Sequence, residues 1–474
     1  MAWLTATEPQ ESRLRIRDQK IVILGAGPTG LGAAHRLAEL GYSNFLLLEK
    51  EKHAGGLASS FTDNKGFTWD IGGHVQFSHY PYFDQLMNSL LAGEWLHHQR
   101  ESWIWMRERF IPYPFQNNIR YLPKEQMLEC LNGLFDVYRN SSGAPANFEQ
   151  WLVQNFGDGV ARHFMFPYNF KVWAYSPAEL NYHWIGERVA TPDLKRIVNN
   201  IINGTDDQIW GPNNSFRFPL CGGTGEIWRR LAATLPKDKL RLGETVRFID
   251  TKRRIVTLED GSQEDYGVLI STIPLDQLVD QSDLEELKPV ARALRHSATN
   301  VVGLGLRGSP PPHLRTKCWM YFPELDIPFY RATVFSNYSP RNVPLDSEYW
   351  SLMLEVSESS NKPVEATTLL DSAVSGARGA MLIDDISGIV DTWIYRASYG
   401  YPTPTLSRDA ILRQVLPALE QREVFSRGRF GGWKYEVSNQ DHSLMQGVEV
   451  VDRLLTGEPE RTWPHPALVN APRA

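Results

Sequence analysis

The chain has 474 residues, of which 42% are apolar and 22% charged, and its formal net charge is −6. These values are typical of a folded globular protein and argue against nucleic-acid or anionic-membrane partners, which require a basic surface. The three cysteines, Cys130, Cys221 and Cys318, lie far apart, which argues against a disulfide framework and favours a reducing compartment. The N-terminal residues lack the apolar core of a signal peptide, and no apolar stretch is long enough to cross a bilayer. We therefore expect a cytoplasmic protein without a membrane partner.

The first predicted elements form a βαβ unit. Residues 21–24 are a short apolar run, typical of a buried parallel strand, and a glycine-rich turn follows them. The next residues have helical apolar spacing and stop at Gly41, which is a suitable C-terminal cap. Residues 45–48 give a second apolar strand that ends at Glu49. This order is typical of a nucleotide-binding α/β unit.

The rest of the chain alternates between helical and strand-rich regions, without an internal repeat. The order predicts an α/β core that is interrupted by a helical insertion and by a largely antiparallel sheet. The predicted helical regions are 80–95, 115–205, 378–390, 409–419 and 443–455, the predicted hairpin is 103–113, and the strand-rich regions are 239–272 and 299–358.

The turn after the first strand carries a Gly-x-Gly-x-x-Gly pattern. Gly25 permits the tight turn, Gly27 lets the backbone approach a pyrophosphate, and Gly30 lets the helix pack on the strand. The helix N-terminus offers free N–H groups to the phosphates, and Glu49 is placed to accept from ribose hydroxyls. The pattern and its context predict a dinucleotide site.

A second glycine pair, Gly55 and Gly56, follows the second strand in the segment HAGGLASS. This pair resembles the FAD-binding extension of glutathione-reductase-like and amine-oxidase-like flavoproteins. The resemblance implies FAD as the dinucleotide and a Rossmann-like FAD-binding domain of glutathione-reductase type, mixed α/β and α+β in class.

Longer segments carry a more specific resemblance. WDIGGHVQFSHY, IPYPFQNN, PYNFKVWAYSP, FRFPLCGGTG, PFYRATVFSNYSP and GRFGGWKYEVSNQDHS resemble the eukaryotic type of UDP-galactopyranose mutase, and the similarity runs in order from about residue 20 to 455. The resemblance implies an isomerase that interconverts the pyranose and furanose forms of UDP-galactose without net redox change. In that family N5 of reduced FAD attacks the anomeric carbon.

The resemblance also implies three domains in this chain. The split FAD-binding domain is expected at 18–79, 221–295 and 424–460. The helical nucleotide-sugar domain is expected at 80–96 and 115–210, and the antiparallel sheet domain at 97–114, 211–220 and 296–423.

Substrate contacts are carried over residue by residue. Arg188 and Arg331 match the family's two diphosphate-clamping arginines, whose forked, permanently charged guanidinium groups suit phosphate. Together with His74, which matches the histidine beside the isoalloxazine near N5, they form the expected catalytic set. The other expected substrate-binding residues are Tyr113, Phe115 and Gln116 around uridine, Asn169 and Trp173 nearby, Asn213 and Trp319 at the sugar, Tyr321, Tyr401 and Tyr435 at the phosphates, and Asn439.

Cofactor contacts follow in the same way. The expected FAD-binding residues are Gly25, Gly27, Thr29, Gly30, Glu49, Gly55, Gly56, Leu57, Gly73, His74, Val246, Asn439, Gln440 and Ser443. The resemblance implies NADPH as the reductant, and Arg100 matches a position linked to its access, with a surface salt bridge as the alternative role. The histidines show no metal-ligand spacing, so we expect no metal site.

Two positions depart from the family pattern. Gln76 stands where the family generally has an aliphatic residue, and on a strand it would share a face with His74. Cys221 stands where the family tends to have a basic residue. These departures leave the identity of the sugar open, and the resemblance also leaves open whether the chain forms a homo-oligomer.

Three functions remain in competition at this point. One is a mutase acting on UDP-galactose or another nucleotide sugar. The second is an amine-oxidase-like FAD oxidoreductase, which would not need two clamping arginines. The third is a sugar-nucleotide sensor that lacks catalysis. The joint presence of Arg188, Arg331, His74 and Asn439 favours the mutase.

Overall fold

The computed structural model describes residues 18–139, 143–207 and 214–471. No helix within these ranges has the length and apolar character that a bilayer span requires. In chain order, the strands of the described residues are β1 (Ile21–Leu24), β2 (Phe45–Glu49), β3 (Ser60–Thr62), β4 (Thr68–Asp70), β5 (Trp95–Gln99), β6 (Ser102–Met106), β7 (Arg109–Pro112), β8 (Ser215–Pro219), β9 (Leu240–Leu242), β10 (Val246–Asp250), β11 (Ile255–Leu258), β12 (Gln263–Asp265), β13 (Val268–Ser271), β14 (His296–Arg307), β15 (Trp319–Tyr321), β16 (Arg331–Val334), β17 (Tyr349–Glu358), β18 (Ile389–Pro402) and β19 (Val424–Ser426).

The α-helices are interleaved with these strands and concentrate between β7 and β8. In chain order, those of the described residues are α1 (Pro28–Glu39), α2 (Pro81–Leu91), α3 (Lys124–Arg139), α4 (Phe148–Val160), α5 (Phe166–Trp173), α6 (Leu194–Asn203), α7 (Gly225–Ala233), α8 (Leu275–Asp280), α9 (Lys288–Ala291), α10 (Leu369–Gly379), α11 (Arg408–Glu420), α12 (Gln440–Thr456) and α13 (Pro466–Val469).

A five-stranded parallel sheet forms the α/β core, in the order β19-β13-β1-β2-β9. Every residue of β1, β2 and β13 is buried, as expected for strands covered on both faces. Apolar clusters pack on both faces, one of them involving α1, α2, α7 and α12. Because all five strands are parallel, their carboxyl ends lie at the same edge of the sheet. Ligands of open α/β folds bind at this edge.

The second large sheet has seven strands in the order β18-β14-β17-β16-β15-β6-β7. Its pairs are antiparallel except for β15 with β6. Helices α3 to α6 form a separate apolar cluster beside it, with a π-helical turn at Ala161–Met165 joining α4 to α5. The expected fold class, a Rossmann-like α/β domain with a helical insertion and an antiparallel sheet, is confirmed, whereas the domain boundaries stay predictions.

Two predicted helices differ from the observed ones. The helix expected at 378–390 is wrong, because α10 already ends at Gly379 and strand β18 begins at Ile389. Met381 has a positive φ of 54°, which leaves the helical region and turns the chain toward the sheet. The helix expected at 80–95 stops at Leu91, where Ala92 and Gly93 both take positive φ, and Trp95 opens strand β5.

Candidate active site

A cavity of about 850 Å³ lies between the carboxyl edge of the parallel sheet and the seven-stranded sheet. Its lining brings together residues from both sheets and from the helical region. We name the part lined by Gly25, Gly27, Thr29, Glu49, Gly56, Leu57, Val246, Asn439, Gln440 and Ser443 the dinucleotide side. We name the part lined by Tyr113, Arg188, Tyr321, Arg331, Tyr401 and Tyr435 the clamp side.

Close backbone approach shapes the dinucleotide side. Gly25 has φ +95°, and a Cβ on Gly30 would lie 1.8 Å from the Gly25 carbonyl oxygen, so α1 packs on the turn only with glycine at position 30. Gly27 and Gly56 face each other so closely that a Cβ on Gly56 would lie 3.2 Å from the Gly27 Cα. The two glycine motifs therefore form one continuous backbone cradle.

The start of helix α1 offers unused donors to this cradle. Its N-cap residue, Gly27, has no side chain to cap the first turn, so the first N–H groups and the helix dipole face outward. Glu49, buried at the end of β2, accepts from the backbone N–H of Ala26 at 2.6 Å and of Glu51 at 2.9 Å. A carboxylate has about four acceptor positions, so Glu49 retains capacity for ribose hydroxyls.

Helix α12 brings a second N-terminus to the same wall. Gly32 and Gly447 let α12 pack directly on α1: a Cβ on Gly447 would lie 2.0 Å from the Thr29 carbonyl oxygen. Asn439 is the N-cap of α12, but its side chain makes no capping hydrogen bond. Gln440 accepts from the Trp228 indole N–H at 2.8 Å, which fixes its amide against the cradle. These contacts fit a dinucleotide held between two helix N-termini.

The segment Gly72 to His74 connects the two sides. The backbone N–H of Gly73 donates to Glu355 at 3.0 Å, and His74 lines the cavity with its Nδ1 buried and unpartnered among the described residues. Burial lowers the pKa of His74 to about 4, against the opposing effect of Glu355 and with help from Arg331. The imidazole is therefore neutral near pH 7.

Arg331 is held by a forked ion pair. Its Nε and Nη2 donate to the two carboxylate oxygens of Glu355 at 2.6 and 2.7 Å, and the Tyr330 hydroxyl donates to the same carboxylate at 2.7 Å. Burial acts to raise the pKa of Glu355, but Arg331 and these hydrogen bonds outweigh it, so the pKa lies below its usual value. The guanidinium is thus fixed in one orientation beside Gly73.

Arg188 contrasts with Arg331 because neither of its Nη atoms has a hydrogen-bond partner within the described residues, although both are buried. Its guanidinium lies over the Tyr435 ring, 5.2 Å from the centroid. A buried cation without a partner is costly unless an anion binds it. The clamp side can therefore bind a negatively charged ligand through Arg188.

Tyrosines surround the arginines. Burial raises the pKa of Tyr321 and of Tyr401, although Arg331 opposes the change, so both hydroxyls stay protonated and can donate to phosphate oxygens. The Tyr113 ring lies 5.3 Å from that of Tyr321, and the buried Arg100 lies over Tyr113 at 5.3 Å. Arg100 also lines the cavity, and both of its expected roles stay predictions.

Some expected site residues lie behind the cavity wall rather than in it. Phe115 stacks on Phe164 in the helical core, and Gln116 is buried with its Nε2 donating to the Ala190 carbonyl at 2.6 Å. Trp173 packs edge-on against Tyr435 at 4.8 Å and so supports the clamp side. The other expected site residues that do not line the cavity are Gly30, Gly55, Asn169 and Trp319. Asn213 falls outside the described residues. Their expected contacts stay predictions.

Sequence reasoning missed three residues that adjoin the clamp side: Glu355, Tyr330 and Arg429. Glu355 is the only charged residue in the apolar run 350–356, and a buried charge within a strand was the available signal. Arg429 also lines the cavity, where its guanidinium donates to the Gly400 and Ser438 carbonyls and lies 5.0 Å from the Tyr401 centroid. Burial lowers the pKa of Arg429.

One group of possible metal ligands occurs among the described residues: His79, Asp441 and His442, with ligand atoms within 4.8 Å of one another. Asp441 accepts from the backbone N–H of His79 at 2.9 Å and lies 2.7 Å from its Nδ1. This pairing ties the segment after His74 to the start of α12. The expectation of no metal site stays a prediction.

Comparisons with known proteins identify the family of the chain. The family model for flavin containing amine oxidoreductase matches residues 28–430. A solved structure of reduced UDP-galactopyranose mutase is 48% identical to the chain, covers 96% of this chain and 98% of its own, and superposes with a TM-score of 0.93.

More distant relatives share less. A CLA-producing fatty acid isomerase from P. acnes, at 15% identity, has a TM-score of 0.64 over 92% of this chain and 99% of its own, which shows the fold alone. The 15-cis-phytoene desaturase of Glycine max is 30% identical over 140 residues, 30% of this chain. The chain spans about a quarter of the length of that curated relative, since the match covers 24% of it.

The match to the mutase structure extends over nearly the whole of both chains, so it covers the dinucleotide side and the clamp side together. The family model independently covers most of the chain, from the first turn of α1 to Phe430. The chain therefore belongs to the flavin-containing amine oxidoreductase family and, within it, to the UDP-galactopyranose mutases.

Proposed function

We propose that this protein interconverts UDP-galactopyranose and UDP-galactofuranose, without net redox change, with FAD in its reduced form. The observation that carries the proposal is the pairing of two differently held arginines with a dinucleotide cradle in one cavity. Arg331 is already neutralised by Glu355, whereas Arg188 has no partner among the described residues. A diphosphate is an anion that both guanidinium groups can bind.

The residues of the dinucleotide side fit FAD. The glycine cradle admits a pyrophosphate, two helix N-termini face it, and Glu49 retains acceptor capacity for a ribose. When bound, reduced FAD supplies the nucleophilic nitrogen that the exchange of ring forms requires.

The arginines act on the diphosphate. Cleavage of the bond between the anomeric carbon and UDP leaves an additional negative charge on the phosphate oxygens. Arg188 and Arg331 stabilise that charge with forked donors and keep UDP close to the sugar for its return. The protonated hydroxyls of Tyr321 and Tyr401 add further donors on the same side.

His74 and Glu355 keep the surroundings fixed. The neutral imidazole of His74 adds no positive charge beside the cofactor, so the positive charge stays with the arginines. Glu355 orients Arg331 and, through the Gly73 N–H, the backbone next to His74. NADPH is the reductant that we propose, with Arg100 near its entry.

The competing function is that of an oxidoreductase, which the family model's name favours. An oxidoreductase would consume one two-electron equivalent of an external oxidant or reductant per product, whereas a mutase needs the flavin reduced only once. Another nucleotide sugar is the alternative within the mutase reaction, since the clamp side contacts the diphosphate rather than defining the sugar.

The test is a product assay under anaerobic conditions. Dithionite-reduced and oxidised protein are each incubated with UDP-galactofuranose, and in parallel with UDP-arabinopyranose and UDP-glucose, and the products are separated by chromatography. We expect UDP-galactopyranose from the reduced protein alone. Equal turnover by the oxidised protein, or NADPH consumption in step with product, would contradict the proposal.

A further inference from the structure

Gln76 has an unused donor inside the protein. Its side chain is 2% exposed, and the amide Nε2 has no hydrogen-bond partner within the described residues. A buried amide N–H without a partner destabilises the protein, and a ligand acceptor would offset that cost. Gln76 lines the main cavity, so such an acceptor could approach it there.

The backbone of Gln76 is fixed. It exchanges two hydrogen bonds with Arg217 on β8, at 3.0 and 2.8 Å. Arg217 is itself held by Asp84 and Asn88 of α2, at 2.9 and 2.6 Å. The amide therefore has a rigid support, as a group that recognises a ligand requires.

The position of Gln76 favours the cofactor over the nucleotide sugar. It stands two residues after His74, and both residues line the main cavity. Their segment leaves the Gly72–Gly73 turn, whereas the clamp side is supplied by Arg188, Arg331 and the tyrosines from other elements. Gln76 also lines a second cavity of about 480 Å³, which Gln99 lines without reaching the main one.

We propose that the Gln76 carboxamide donates a hydrogen bond to an acceptor on the isoalloxazine edge of bound FAD and thereby raises the reduction potential of the flavin. Reduction increases the negative charge on these acceptors, so a fixed donor stabilises the reduced form more than the oxidised form. The inference rests on the proposed function for the placement of His74 beside the flavin. It makes Gln76 a cofactor-tuning residue.

The test is the midpoint potential of FAD-loaded protein, measured by anaerobic dye equilibration without nucleotide sugar. We expect Gln76→Leu to shift the equilibrium toward oxidised flavin about tenfold, which is about 30 mV for a two-electron couple. Gln76→Glu should lower the potential further, because a carboxylate repels the reduced anionic ring. Gln99→Leu is the matched control and should leave the potential unchanged.

An unchanged potential in both Gln76 variants would overturn the inference. An unchanged potential with an altered KM for the nucleotide sugar would also overturn it and would place the amide at the substrate. If Gln76→Leu does not retain FAD, Gln76→Glu still gives the measurement. Because no nucleotide sugar is present, the potential is informative even where the product assay fails.

Discussion

The cradle on the dinucleotide side of the cavity is mostly backbone, and it comes from two neighbouring motifs around Gly25 and Gly56, with the start of α12 added from the far end of the chain. On the clamp side the groups that face the ligand are side chains from separate segments: Arg188 from a short turn between helices, Arg331 from β16, and Tyr401 from β18. The dinucleotide side depends on close backbone packing between glycines, which a single added Cβ would disrupt. The clamp side depends on individual side chains, because each guanidinium group makes its own contact with a ligand.

This difference predicts that the two sides fail in different ways when they are mutated. Changes on the dinucleotide side should remove the cofactor and hence all activity. Changes on the clamp side should weaken nucleotide binding while the cofactor stays bound.

The largest effect is expected from Gly30→Ala. The new methyl group would lie 1.8 Å from the Gly25 carbonyl oxygen, so the turn and α1 must move apart and the cradle must open. We expect the FAD content of the purified protein, measured by absorbance, to fall at least tenfold. Gly379→Ala in α10, where a Cβ meets nothing within 4 Å, is the control. Full FAD content in Gly30→Ala would contradict the account of the cradle.

Alanine at Arg188 or Arg331 tests the clamp side. Removal of charge-assisted hydrogen bonds worth roughly 1.5–3 kcal/mol should weaken UDP binding by about one to two decades, with FAD content unchanged. Arg331→Lys should restore binding only partly, because lysine lacks the fork. Isothermal titration with UDP gives the affinities, and the exposed Arg292→Ala is the control.

The two arginines should also differ in stability. Arg331→Ala leaves Glu355 buried without its cation and should lower the melting temperature. Arg188→Ala removes a guanidinium that has no hydrogen-bond partner among the described residues and should not lower it. Equal destabilisation by both variants would count against the contrast between them.

Glu355→Gln should separate nucleotide binding from turnover. The amide keeps the size of the side chain. It lacks the negative charge of the carboxylate that orients Arg331 and accepts a hydrogen bond from the Gly73 N–H. We expect kcat to fall about tenfold while UDP affinity is kept or improved, because Arg331 becomes more available to phosphate. Glu358→Gln on the same strand is the matched control. A parallel loss of UDP affinity and kcat would assign Glu355 a merely structural role.

The smallest expected effect is the pH dependence due to His74. Its pKa, lowered to about 4, lies below that of an unfolded histidine, so its contribution to stability is complete above pH 6.5. The contribution is lost as the pH falls toward 4, because the unfolded chain binds a proton that the folded imidazole excludes. His74→Asn should therefore lose less stability over this range than the parent in thermal unfolding. The exposed His97→Asn should behave like the parent.

The glycine cradle of the dinucleotide side could be predicted from sequence because its parts are close in the chain, whereas Val246 and the residues at the start of α12 came only from the family resemblance. The spacing of Gly25, Gly27 and Gly30 encodes both the turn and the packing of α1, and Glu49 follows at a fixed distance. The clamp side could not, because Arg188 and Arg331 meet only through the tertiary fold, and only the family resemblance pointed to them.

Other misses have physical reasons. Glu355 was missed because its burial depends on the neighbouring strand that carries Arg331. The helix at 378–390 was misplaced, because the positive φ at Met381, just after the end of α10, leaves no pattern in the composition.

The central claim is that both sides form one site. A nucleotide that binds on the clamp side should therefore change the environment of the flavin. The most direct measurement is the absorption spectrum of FAD-loaded protein during titration with UDP. We predict a saturable change in the flavin bands of the parent, and no change at the same UDP concentrations in Arg188→Ala. UDP binding by calorimetry without any change in the parent's flavin spectrum would contradict the account.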